Sequence, residues 1–74
     1  MHALDLRGTP CPVNFIRARL ALEAIEPGEC LWVDLEAGEP ERSVGEGLRR
    51  EGHAVEVSPS ENGSVRLLIR RHGG

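Results

Sequence analysis

The chain has 74 residues and a net charge of −3, with 39% hydrophobic, 28% charged and only 3% aromatic side chains. One domain spanning residues 1–74 is expected, because domains typically run to about 100–150 residues, and at this size only about 60% of the unfolded chain's surface is buried. So small a core argues against a large enzyme with a deep enclosed pocket, and the acidic balance argues against sequence-independent nucleic-acid binding.

Residues 3–6 alternate Ala-Leu-Asp-Leu, a short strand signal. Arg7-Gly8-Thr9-Pro10 is a turn, and Asp5 is expected to face inward and bond it at Gly8. Pro12 then suits the first position of a helix, where its missing N–H costs nothing. Cys11 is therefore the expected N-cap of a helix running to about Ile25. Asn14 falls at its third position, from which its amide is placed to reach back toward the cap. Phe15, Ala18, Leu22 and Ile25 recur at helical spacing and are expected to face a sheet. Val13, Ile16 and Leu20 form a second stripe that begins beside Cys11. It either packs under a second helix or stays exposed as a partner site.

Pro27-Gly28 ends the first helix. Residues 29–36 are a second strand carrying Leu31, Trp32, Val33 and Leu35. Ala37-Gly38-Glu39-Pro40 turns into a second helix that reaches about Glu51, with Val44 and Leu48 inward. Gly45 and Gly47 each weaken that helix by about 1 kcal/mol relative to alanine. Residues 53–58 form a third strand. Residues 59–63 form a hairpin loop with Asn-Gly chemistry. Residues 65–70 form a fourth strand, with Val65, Leu67 and Ile69 on one face. The expected fold is a β-α-β-α-β-β two-layer α/β sandwich, with both helices on one face of the sheet.

All nine basic residues are arginines. Without lysine there is no phosphate-loop, Schiff-base or catalytic lysine. One Phe, one Trp and no Tyr make a poor stacking platform for single-stranded nucleic acid. The two cysteines and three scattered histidines match neither a disulfide scaffold nor zinc-site spacing, so no metal is expected. No apolar run approaches the roughly 18 residues of a membrane span. The Met1-His2-Ala3-Leu4-Asp5 start lacks the pattern of a signal peptide, so the expected location is the cytoplasm.

Chemistry is expected at the C-terminal ends of the parallel strands. Cys11 would lie there, at a helix N-terminus that stabilises a thiolate, and the thiolate is the nucleophilic form. Serine, threonine, aspartate or asparagine cap a helix better than cysteine, so cysteine between two prolines favours a reactive role over simple fit. The loops at 36–40 and 59–63 should open at the same end. Cys30, at the start of the second strand, is expected to be a buried core thiol. A helix of about 14 residues separates the two cysteines by about 20 Å, too far for a disulfide. Arg17 and Arg19 read as solvated helix residues able to steer an acidic partner. Arg49-Arg50 complements the helix dipole. Trp32 packs in the core or on the sheet surface, and His53 lies at the end opposite the thiol.

The stretch Leu4-Asp5-Leu6-Arg7-Gly8-Thr9-Pro10-Cys11-Pro12 resembles the signature of the TusA/SirA-like sulfur carriers. The resemblance continues through Pro27-Gly28-Glu29, Gly38-Glu39-Pro40, Gly52-His53 and Leu67-Leu68-Ile69-Arg70-Arg71. It covers essentially the whole chain. It implies a fold similar to the C-terminal domain of bacterial translation initiation factor three, with sheet order 1-2-4-3 and an antiparallel last strand. It also implies a sulfurtransferase-type carrier that holds a persulfide on Cys11 without a cofactor. The donor would be a cysteine desulfurase or a rhodanese-type protein. The acceptor would serve tRNA thiolation, cofactor synthesis or sulfur oxidation. Gly8, Pro12 and Asn14 would support the thiolate, and Val13, Ile16, Arg17, Arg19 and Leu20 would dock partners. The family's usual Cys-Pro-x-Pro here reads Cys11-Pro12-Val13-Asn14. Asn14 thus restores a backbone N–H that proline lacks and adds a side-chain amide. Two other readings stand beside the carrier. One is a binding or regulatory module with an inert Cys11. The other is a small RNA-binding domain, which rests on fold analogy and the arginines.

Overall fold

The computed structural model describes residues 2–73. Its elements follow the order β1 (His2–Asp5), α1 (Val13–Glu23), β2 (Cys30–Glu36), α2 (Glu39–Arg50), β3 (Ala54–Pro59) and β4 (Ser64–Arg70), with a short 3-10 turn at Glu61–Gly63. The four strands form one sheet in the order β1-β2-β4-β3. β1 pairs parallel with β2, while β4 runs antiparallel to both β2 and β3. The turns that follow β1, β2 and β3 therefore share one end of the sheet.

Strand alternation divides the residues between two faces. Leu31, Val33 and Leu35 of β2 are buried, as are Val65, Leu67 and Ile69 of β4. They join Ala18 and Leu22 of α1, and Val44 and Leu48 of α2, in one core. Val55 of β3, together with Leu6 and Ile25 just beyond the ends of β1 and α1, completes it.

The other sheet face has no helix over it, and Cys30 lies there. It is a half-buried free thiol beside a hollow of about 260 Å³ that Leu68 and Arg70 also line. This corrects the expectation of a core thiol. Once Leu31 and Val33 point at the helices, Cys30 and Trp32 must point away. On the same face Arg66 grips Asp34 through two hydrogen bonds of 2.8 and 3.3 Å. Its guanidinium sits 5.7 Å from the centre of the Trp32 ring, which places Trp32 on the sheet surface.

α1 starts later than its sequence suggests. Pro12 is the N-cap rather than the first helical residue, and Cys11 lies in the preceding turn. The Asn14 and Ile16 amides donate four residues back, to the carbonyls of Pro10 and Pro12. The Phe15 amide, which would complete the ladder at the Cys11 carbonyl, donates instead to Asn14 Oδ1 at 2.7 Å. A side chain competing for a backbone donor thus displaces the helix start. At the other end α1 stops at Glu23, two residues short of Ile25, where bonds to the third residue back tighten the last turn.

Phe15 departs from its expected place as well. Its ring meets α2 at Gly47 and only partly faces the core. In the β3–β4 hairpin, Asn62 and Gly63 both take positive φ, of 54° and 77°. That is the conformation for which an Asn-Gly pair is suited.

Candidate functional site

Cys11 is a free, exposed cysteine in the turn between β1 and α1. Its peptide bond to Pro12 is cis. Two contacts fix the turn. The Thr9 amide donates to the Leu6 carbonyl at 3.0 Å, and the Gly8 amide donates to Glu36 Oε2 at 2.7 Å. Gly8 has φ of +79°, a conformation that a side chain would resist. Asp5 does not make the inward bond to Gly8 that was expected. It is exposed and accepts from the Arg7 amide and guanidinium. That pairing holds its carboxyl down at about 2.

The neighbouring turns converge as the strand directions require. Ala37, after β2, donates its amide to the Gly63 carbonyl in the hairpin at 3.1 Å. The turn carrying Cys11 is thus tied through Glu36 to the turns after β2 and β3.

Cys11 stands at one end of a groove of about 390 Å³ between α1 and α2. Pro12, Phe15 and Gly47 give it an apolar floor. Glu39, Arg42, Glu46 and Arg50 line its α2 wall. Their spacing puts all four on one helix face, alternating in sign. Arg42 pairs with Glu39 at 3.5 Å. The α2 contribution had no counterpart in the sequence reading, which placed Arg50 only at the helix dipole. The stripe of alternating charge at helical spacing was the available signal, but it reads equally as a solvated face.

Asn14 is 1% exposed. Its backbone N–H is taken by Pro10, its Oδ1 by Phe15, and its buried Nδ2 has no hydrogen-bond partner among the described residues. It is an interior residue behind the turn. The second stripe of α1 does not pack under α2. Val13, Ile16 and Leu20 are 44%, 48% and 58% exposed. Arg17 is exposed beside them. Arg19 leans the other way, pairing with Glu23 at 3.7 Å and with Glu51, past the end of α2, at 3.4 Å. The exposed apolar strip therefore begins two residues after the thiol and runs along the outward side of α1.

No group of three or more His, Cys, Asp or Glu side chains with metal-binding geometry occurs among the described residues. Among them, no helix is long and apolar enough to cross a membrane.

The fold agrees with comparisons to known proteins. Residues 2–71 match the family model described as sulfurtransferase TusA, and the chain belongs to that family. A protein of Archaeoglobus fulgidus named "Putative sulfur carrier protein" is 40% identical over 54 residues, which cover 73% of this chain. The match spans 61% of that relative's length. A protein of the same name from Thermotoga maritima is 37% identical over 62 residues, covering 78% of each chain. Among solved structures, the SirA-like protein from Desulfitobacterium hafniense superposes with a TM-score of 0.85 at 26% identity, covering 97% of this chain and 99% of that one. HP1264 from Helicobacter pylori, at 17% identity with a TM-score of 0.72 and the same coverage, shares the fold.

Proposed function

We propose that this protein is a sulfur carrier that accepts sulfane sulfur as a persulfide on Cys11 and relays it to an acceptor protein. The observation that carries the proposal is the setting of Cys11. It is a free, exposed thiol on a braced turn, at the end of a groove and at the head of an exposed apolar strip. Membership of the TusA family and the names of the relatives support the same reading.

The chemistry is two displacements. The Cys11 thiolate attacks the outer sulfur of a donor persulfide. A new S–S bond forms at Cys11, the donor's S–S bond breaks, and its electron pair leaves on the donor's thiolate. An acceptor nucleophile then attacks the outer sulfur on Cys11, which departs as the thiolate. Neither displacement consumes an external oxidant or reductant. The donor is a cysteine desulfurase or a rhodanese-type protein. The acceptor belongs to tRNA thiolation, cofactor synthesis or sulfur oxidation. Cytoplasmic residence suits this role, since a reducing compartment keeps Cys11 free.

In this reading Gly8, through Glu36, braces the turn. Pro12, the N-cap, has no N–H and so leaves none next to Cys11 to compete for the sulfur. Asn14 holds the Phe15 amide and thereby shapes the first turn behind the thiol. Val13, Ile16 and Leu20 supply the apolar contact with the partner. Arg17 adds charge that steers an acidic partner and acts mainly on the rate of encounter, whereas Arg19 is taken up by Glu23 and Glu51 on the other side of the helix.

The test is intact mass after incubation with a cysteine desulfurase and free cysteine, beside a Cys11→Ser control. A gain of one sulfur atom, reversed by reductant and absent in the control, is the expected result. No gain from either a desulfurase or a rhodanese-type donor overturns the proposal. The exposed α1 strip would then mark a binding module with an inert Cys11.

A further inference from the structure

We infer that Gly47 is a positioning residue for sulfur exchange at Cys11. By lacking a side chain it seats the Phe15 ring against α2 and holds open the groove that leads to the thiol. The inference rests on the carrier reading of Cys11 and deepens it, since it names what governs entry of the partner's sulfur-bearing group.

A Cβ built on Gly47 would lie 2.6 Å from Phe15 Cε1, 3.0 Å from Cδ1 and 3.4 Å from Cζ. Carbon atoms do not approach to 2.6 Å without displacement, so a side chain at 47 forces the ring to move. Phe15 packs against the buried core on one side, and that core is close-packed. The space free to receive the ring is the groove, which Phe15, Gly47 and Cys11 line together. A methyl group on α2 thus narrows the groove beside the exposed thiol without touching the thiol.

Gly45 supplies the comparison within the same helix. A Cβ there would meet only Val55 Cγ1, at 3.8 Å, an ordinary contact. Glycine is unfavourable in a helix interior at both positions. Contact geometry demands it at 47 and leaves 45 free to carry a side chain.

The group admitted is larger than a lone sulfur atom. A groove of about 390 Å³ has room for a cysteine persulfide together with the residues that flank it on a protein partner. Its α2 wall, alternating Glu39, Arg42, Glu46 and Arg50, offers both signs of charge to such a segment.

The experiment labels Cys11 in a Cys30→Ser background with two reagents, small iodoacetamide and the bulky aromatic disulfide 5,5′-dithiobis(2-nitrobenzoate). Gly47→Ala should lower the rate ratio of bulky to small reagent. Adding Phe15→Leu to Gly47→Ala should restore the ratio, and Gly45→Ala should leave it unchanged. A parallel fall with both reagents, an unchanged ratio, or no recovery in the double variant overturns the inference. If Gly47→Ala does not fold, Phe15→Leu alone carries the test. It widens the groove and should raise the ratio, and an unchanged ratio counts against the idea. The labelling ratio reads the groove whether or not Cys11 carries sulfur. Failure of the parent protein to gain sulfur from a donor therefore sinks the carrier reading separately.

Discussion

Gly8 and Glu36 lie 28 residues apart, yet the Gly8 amide donates to Glu36 Oε2 at 2.7 Å. This bond ties the turn bearing Cys11 to the C-terminal end of β2. Because the acceptor is a carboxylate, the bond is of the stronger, charge-assisted kind. Glu36→Ala should speed exchange of the Gly8 amide with solvent by about tenfold, through local opening of the turn. Amide exchange followed by NMR measures this, and an unchanged Gly8 rate would show that the bond does not hold the turn.

The Asp5–Arg7 pair makes a pH prediction. Hydrogen bonds from the Arg7 side chain and amide lower the Asp5 carboxyl from 3.8 to about 2. The folded value lies below the unfolded one, so the pair favours the fold above the unfolded value of about 4 and loses its effect as pH falls toward 2. Both partners are exposed, and solvent screening keeps the contribution to global stability small. Carboxyl-carbon titration by NMR should place the Asp5 midpoint near 2. In Arg7→Gln the midpoint should move back toward 3.8.

Gly45→Ala should stabilise the protein. The site is helical, and the new methyl group meets Val55 Cγ1 at an ordinary 3.8 Å. The gain expected from a less flexible unfolded chain is about 0.4–1 kcal/mol. Urea unfolding should show a higher midpoint with an unchanged slope, and a lower midpoint would reveal packing tighter than the contact suggests.

Arg49 and Pro59 protect an edge of the sheet. β3 is an outer strand, and Arg49 donates to the Val55 carbonyl on it at 3.0 Å. Pro59, at the end of β3, has no N–H to offer. Val57 between them is 43% exposed. Such devices keep exposed strands from pairing with other chains. Arg49→Ala combined with Pro59→Val should raise self-association, read as a concentration-dependent mass by sedimentation or light scattering. A variant that stays monomeric at high concentration would show that this edge is blunted by something else.

The strand and helix cores were legible because their side-chain periods are local. Val65, Leu67 and Ile69 alternate, and all three are buried. Val44 and Leu48, four residues apart, both reach the core. The Asn62-Gly63 turn was legible for the same reason, since positive φ is a property of those residue types. The order β1-β2-β4-β3 came from the family resemblance rather than from the pattern of residues.

Other features escaped because each depends on a competitor that sequence periodicity does not weigh. The start of α1 turned on whether the Phe15 amide would choose the Cys11 carbonyl or Asn14 Oδ1. The partner of Gly8 was sought at nearby Asp5 and found at distant Glu36, while Asp5 was taken by Arg7. Cys30 was assigned to the core by residue type, although its place in the alternation of β2 put it on the open face.

The sequence by itself determined the order of the elements, the inward residues of β2, β4 and α2, and the single cysteine at the strand-to-helix turn. Each follows from side-chain period or backbone preference over a few residues. The tertiary structure alone decided that Val13, Ile16 and Leu20 stay in solvent, and that Phe15 and Gly47 meet across the two helices to form a groove at Cys11. Those outcomes depend on how two helices seat against one sheet. Packing between separate elements, rather than the pattern within either one, sets that arrangement.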